Sequence, residues 1–98
     1  MTDLPLLKVT KRPVTVEAVE FNGTQTRAAA ILLWMRSCGV AHVGHYRPSA
    51  GQAGGSLFLD TGQGVLRADA GDFVIRGVKG EFYPCPADVF AQTYEIVP

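Results

Sequence analysis

Cys38, Cys85, His42 and His45 are the only cysteines and histidines in this 98-residue chain, so a zinc-type site or any thiol or imidazole chemistry has to draw on them. Structural zinc needs such ligands at short fixed spacings, and the two cysteines stand far apart with no Cys-x-x-Cys. His42 and His45 flank Val43-Gly44, a stretch that favours strand or loop, where residues three apart take opposite faces. Neither a metal nor a cofactor is expected. Cys85 precedes Pro86, which fits the first turn of a short helix, and a helix N-terminus can lower a thiol pKa. With no histidine beside it in sequence, Cys85 is expected as a buried, inert thiol. No Ser-His-Asp pattern is present, and Glu17 and Glu20, three apart on a strand, point to opposite faces. No catalytic residue is assigned, and the chain is expected to be non-enzymatic.

The remaining polar candidates gather in the C-terminal third. Gly71-Asp72 and Gly77-Val78-Lys79-Gly80 could present backbone amides to an anion. With Arg76, Lys79, Glu81 and Tyr83 they make a candidate site for a small ligand of nucleotide type. The competing expectation is plain turn chemistry, with glycine supplying positive φ and Asp72 accepting from nearby amides. Gly77 to Gly80 lacks the spacing and the Lys-Ser/Thr pair of a phosphate loop and lies between two strands, so a hairpin is expected there. Glu81, Tyr83 and Cys85 alternate on one strand face, which is either the wall of a shallow pocket or the outer face of a sheet. Lys8, Lys11 and Arg12 form a small basic cluster, expected as a solvated flank. Trp34 is expected in the core or at an interface.

The elements that must position these residues follow from periodicity. Val14 to Phe21 reads as a strand whose apolar residues fall on both faces, so it is either covered on both sides or bulged near Ala18. Thr24 to Cys38 is a helix with Ala28, Ile31, Leu32 and Met35 on one stripe and Gly39 as its stop. Val40 to Tyr46 is a further strand, and Arg47 to Ser56 a glycine-rich loop. Leu57 to Asp60 and Val65 to Ala68 pair as a hairpin, as do Phe73 to Arg76 and Glu81 to Pro84. A short helix over Ala87 to Gln92 and a closing strand over Thr93 to Val97 complete the order. The expected fold is α+β, a single main helix packed on a small, mostly antiparallel twisted sheet of short strands. It forms one domain over 1–98, with 1–10 a loosely held N-terminal arm. The expected core is Val14, Val16, Ala28, Ile31, Leu32, Met35, Leu57, Leu59, Phe73, Ile75, Phe82, Phe90, Tyr94 and Ile96.

Nine basic and nine acidic residues leave no net charge. Such a chain has little pull on phosphate backbones, which argues against nucleic acid as a partner even though Tyr83 and Tyr94 could stack on bases. It also has little repulsion between copies, which favours a homo-oligomer. No apolar run approaches the ~20 residues that span a bilayer. The first residues do not read as a secretory leader, so reduced thiols and a cytoplasmic setting are expected, with a Cys38–Cys85 disulfide the less favoured alternative.

Lys11-Arg12-Pro13-Val14-Thr15-Val16-Glu17-Ala18 and Ala70-Gly71-Asp72-Phe73, with Gly77-Val78-Lys79-Gly80-Glu81-Phe82-Tyr83-Pro84-Cys85 and Thr93-Tyr94-Glu95, resemble a family of small bacteriophage and prophage proteins. The chain is also similar to the PGDYG family, with Ala70 in place of that motif's proline. The resemblance implies action in the cytoplasm of a bacterial host and names no substrate. The expectation is an accessory protein that binds a host or phage protein. The alternative is a module that binds or sequesters a small nucleotide-type ligand.

Overall fold

The computed structural model describes residues 4–10, 12–49, 54–62 and 64–98. Its elements run β1 (Glu17–Glu20), α1 (Gln25–Ser37), β2 (Gly44–Arg47), β3 (Ser56–Asp60), β4 (Val65–Ala68), β5 (Phe73–Arg76), β6 (Phe82–Cys85) and α2 (Ala87–Thr93). The α+β class holds, and the short helix expected over Ala87 to Gln92 forms as α2. One correction concerns the strands, which form two three-stranded antiparallel sheets, β1-β5-β6 and β2-β3-β4, where one was expected.

α1 begins where its sequence says it should. Thr24 is the N-cap, its Oγ1 accepting from Arg27 N at 3.1 Å, while Asn22 Oδ1 accepts from Thr24 N and fixes the entry turn. Gly39, at φ +93, ends the helix as its N–H donates to the Arg36 carbonyl. The buried stripe is Ala28, Ile31 and Met35, with Leu32 only half-buried and Leu33 left 68% exposed.

α1, the inner face of β2-β3-β4 and one face of β1-β5-β6 enclose the larger core, built on Phe21, Ile31, Met35, Leu57, Leu59 and Val74. Trp34 closes its edge by meeting Phe82 edge-on, ring centroids 5.0 Å apart. The opposite face of β1-β5-β6 carries a second, smaller core of Ile75, Cys85 and Phe90, flanked by Val16, Phe73, Tyr83 and Tyr94. β5 is therefore covered on both sides, with Val74 turned to one core and Ile75 to the other. The mixed apolar pattern around β1 has the same cause: Val19 packs toward α1 and Val16 toward α2, and the β1–β5 register runs unbroken from Glu17↔Arg76 to Glu20↔Phe73.

Three strands differ from expectation. β1 is limited to Glu17–Glu20 because its partner β5 stops at Arg76, after which Gly77 N donates to Glu81 O and turns the chain away. Val14 is consequently exposed and not core. β2 starts at Gly44, after Val43 has dropped into the core. Gly44 sits at φ +119 against the Phe58 carbonyl, where any Cβ would collide with the backbone of β3. The closing strand over Thr93 to Val97 does not form. α2 runs on through Thr93, and Tyr94 stacks on Phe90 over the second core. Ile96, expected in the core, is 81% exposed. Phe21, Val43, Ala68 and Val74 are core residues that the patterning did not single out, and Cys85 is buried as expected.

Candidate functional site

The six residues of the expected ligand site do not converge. Gly71 and Asp72 lie before β5, whereas Lys79 and Glu81 belong to the turn after it. Arg76 sits on the α1 face of the sheet and reaches Glu17 Oε1 at 3.1 Å, and Tyr83 sits on the α2 face. The turn amides are also engaged. Gly71 N donates to Phe21 O at 2.7 Å and Asp72 N to Asp69 O at 2.9 Å, while Asp72 Oδ2 accepts from Asp69 N. In the second turn Gly80 N donates to Gly77 O, and Glu81 Oε1 accepts from Lys79 N at 3.0 Å. These are the turn and hairpin bonds that compete with anion binding, and they occupy the donors an anion would need.

Glu81, Tyr83 and Cys85 do not share one open wall. Tyr83 and Cys85 lie beneath α2, and Glu81 closes the hairpin outside the strand. The Tyr83 and Tyr94 hydroxyls are 3.1 Å apart, and desolvation with that hydrogen bond pushes Tyr83 up to about 12. Desolvation, with the Asp72 and Asp88 carboxylates nearby, also raises the Cys85 thiol. Its Sγ donates weakly to the Pro86 carbonyl. Cys85 is thus held protonated, the reverse of what a nucleophile needs. Both cysteines are free thiols.

His42 lines a cleft of about 290 Å³ with Asp60 and Glu81, between the end of α1 and the β3–β4 and β5–β6 turns. Asp60 Oδ1 is occupied by Gly62 N at 3.0 Å. Among the described residues no three His, Cys, Asp or Glu side chains group as a metal site. His45 stacks on Phe58 at 5.1 Å on the outer face of β2-β3-β4, and Arg47 and Arg67 cover the same ring. That cluster is closed on itself, with Arg67 also paired to Asp69. Of the basic cluster, Lys8 and Arg12 are exposed and Lys11 lies outside the described residues.

A different surface has the form of a site. β1 is an edge strand, hydrogen-bonded to β5 on one side only. Phe21 N donates to Asp72 O, so by the alternation of an antiparallel ladder the even residues of β1 turn their backbone groups outward. The Glu20 carbonyl confirms this: it accepts from Arg27 Nη1 at 2.6 Å on the open side. Arg27 fills that one position, and among the described residues no hydrogen bond is made to the outward backbone groups of Ala18.

This edge has an apolar groove on each face. On the α1 side a groove of about 290 Å³ is lined by Val19, Ala30, Ile31 and Trp34, with the charged Glu17 and Arg27 also on its wall. On the α2 side one of about 550 Å³ runs over Phe73, Phe90 and Tyr94 and is also lined by residues 13–16 and 95–97. The sequence signal for it was on view in the split apolar pattern of Val14 to Phe21. That pattern left open two covered faces or a bulge near Ala18, and it carries no sign of where the cover stops.

Among the described residues no helix is long and apolar enough to cross a membrane. Compared with protein-family models, with curated proteins and with solved structures, the chain matches none.

Proposed function

We propose that this chain is a non-enzymatic protein-interaction module that accepts an extended polypeptide segment along the open edge of β1. The observation that carries this reading is the pair of apolar grooves on the two faces of one unpaired edge. A strand laid on such an edge gains main-chain hydrogen bonds, and its alternate side chains drop to opposite faces. Grooves on both faces suit a segment with apolar residues on both sides. The motif resemblance adds the setting: a phage or prophage accessory protein at work in the cytoplasm of a bacterial host, with a host or phage protein as partner. The turns that motivated a nucleotide-type ligand have their amides engaged, so no observation favours that alternative.

The test is selection of random dodecapeptides on the immobilised full-length chain. Ala18→Pro removes one outward N–H and leaves the β5 ladder in place, a change that edge strands tolerate. Selected peptides are expected to be apolar and extended, and to bind the Ala18→Pro chain at least tenfold more weakly. Peptides that bind both chains alike would overturn the edge as the site.

A further inference from the structure

The chain carries a segment suited to this edge. We infer that the edge and the larger groove take up residues 4–9 of a second copy, so that two chains exchange N-terminal arms. This rests on the docking surface proposed above and names its occupant.

Four observations lead there. Leu4, Leu6, Leu7 and Val9 are 72–86% exposed, so the arm covers none of its own molecule's grooves. In an extended segment Leu4 and Leu6 fall on one face and Leu7 and Val9 on the other, the two-sided apolar pattern that an edge between two grooves requires. At the root of the arm Arg12 precedes Pro13, which favours an extended backbone at Arg12, and Pro13 to Val16 already line the larger groove.

The charges select the arm over the other exposed apolar tail. Among the described residues Glu95 is the one charged residue lining the larger groove, and Glu20 lies on the same face of β1. The arm brings Lys8 and Arg12, with no carboxylate from residue 4 to residue 16. The C-terminal tail of a second copy, with Ile96 and Val97, would set Glu95 beside these same carboxylates.

Reciprocal exchange closes a two-fold pair and leaves neither arm uncovered.

The experiment is sedimentation equilibrium on the full-length chain and on charge variants. The wild type is expected to sediment as a dimer. Leu6→Asp with Leu7→Asp, both at exposed positions, is expected to give a monomer with an unchanged thermal melt. K8E and E95K are each expected to weaken self-association at least tenfold, because each sets like charges together. An equimolar mixture of K8E and E95K chains is expected to recover to within about threefold of the wild type, since both of its arm–groove contacts then pair opposite charges. A general loss of folding would not produce that recovery.

A wild-type monomer at high micromolar concentration, or a mixture no better than its components, overturns the inference. If peptides still select the edge in an Ala18-dependent way, only the occupant is wrong. If they do not, the docking surface fails with it.

Discussion

Cys85 shows how a residue type with reactive potential is disarmed by its place. Burial and the Asp72 and Asp88 carboxylates raise its pKa, and a raised acid pKa links to stability with a definite sign. The folded state keeps the proton longer than the unfolded chain does. The stability this contributes is full below the unfolded thiol's value of 9.0 and is lost as pH climbs through the higher folded value. Tyr83, at about 12 against 10.0, acts in the same direction at higher pH. Two outcomes follow at this scale. At pH 8 a thiol reagent should label half-buried Cys38 at least tenfold faster than buried Cys85, read by mass spectrometry of the two cysteine peptides. Thermal stability should fall as pH is raised beyond about 9, and Cys85→Ala should flatten the first part of that decline, at the cost of a weaker α2 docking.

The helix is where the sequence was most legible. Its cap, its stop and its buried stripe all follow from Thr24, Gly39 and the spacing of Ala28, Ile31 and Met35, because a helix is specified by contacts within one turn of itself. Ile31→Ala should cost about 2–5 kcal/mol. Leu33→Ala should change stability by no more than about 0.5 kcal/mol. Paired denaturant melts check both, and similar losses at the two positions would mean that α1 is rotated. The hairpins β3–β4 and β5–β6 were legible for the same reason, since their turns name themselves. What the sequence hid was non-local. Nothing in Val14 or Ile96 says that β5 ends at Arg76 or that α2 runs on through Thr93, so both residues were assigned a core they do not reach. The site was hidden likewise: the turn residues Gly71, Asp72, Lys79 and Glu81 spend their polar groups on the turns themselves. The grooves beside β1 arise only when residues 13–16 and 95–97 are brought together from opposite ends of the chain.

At the scale of the molecule, β5 joins the two cores. Val74 and Ile75 are adjacent in sequence and fully buried on opposite faces, so neither core can open at β5 without disturbing the other. The β5 amides should therefore exchange with solvent only through global unfolding, and their protection should match the stability measured by denaturant, whereas the amides of α2 exchange through local release at lower cost. Hydrogen-exchange mass spectrometry resolves the two classes, and equal protection in β5 and α2 would show a single cooperative unit without this hierarchy.

The pairing of Glu17 with Arg76 spans 59 residues of chain. During synthesis β1 is made first and its only sheet partner nearly last, an interval of about 3–12 s at bacterial to eukaryotic elongation speeds. Throughout that interval both edges of β1 are open and the apolar stretch before it has no fold to return to. The segment leading into β1 emerges as an adhesive stretch, and β1 becomes a strand only once Arg76, 59 residues beyond Glu17, has been made.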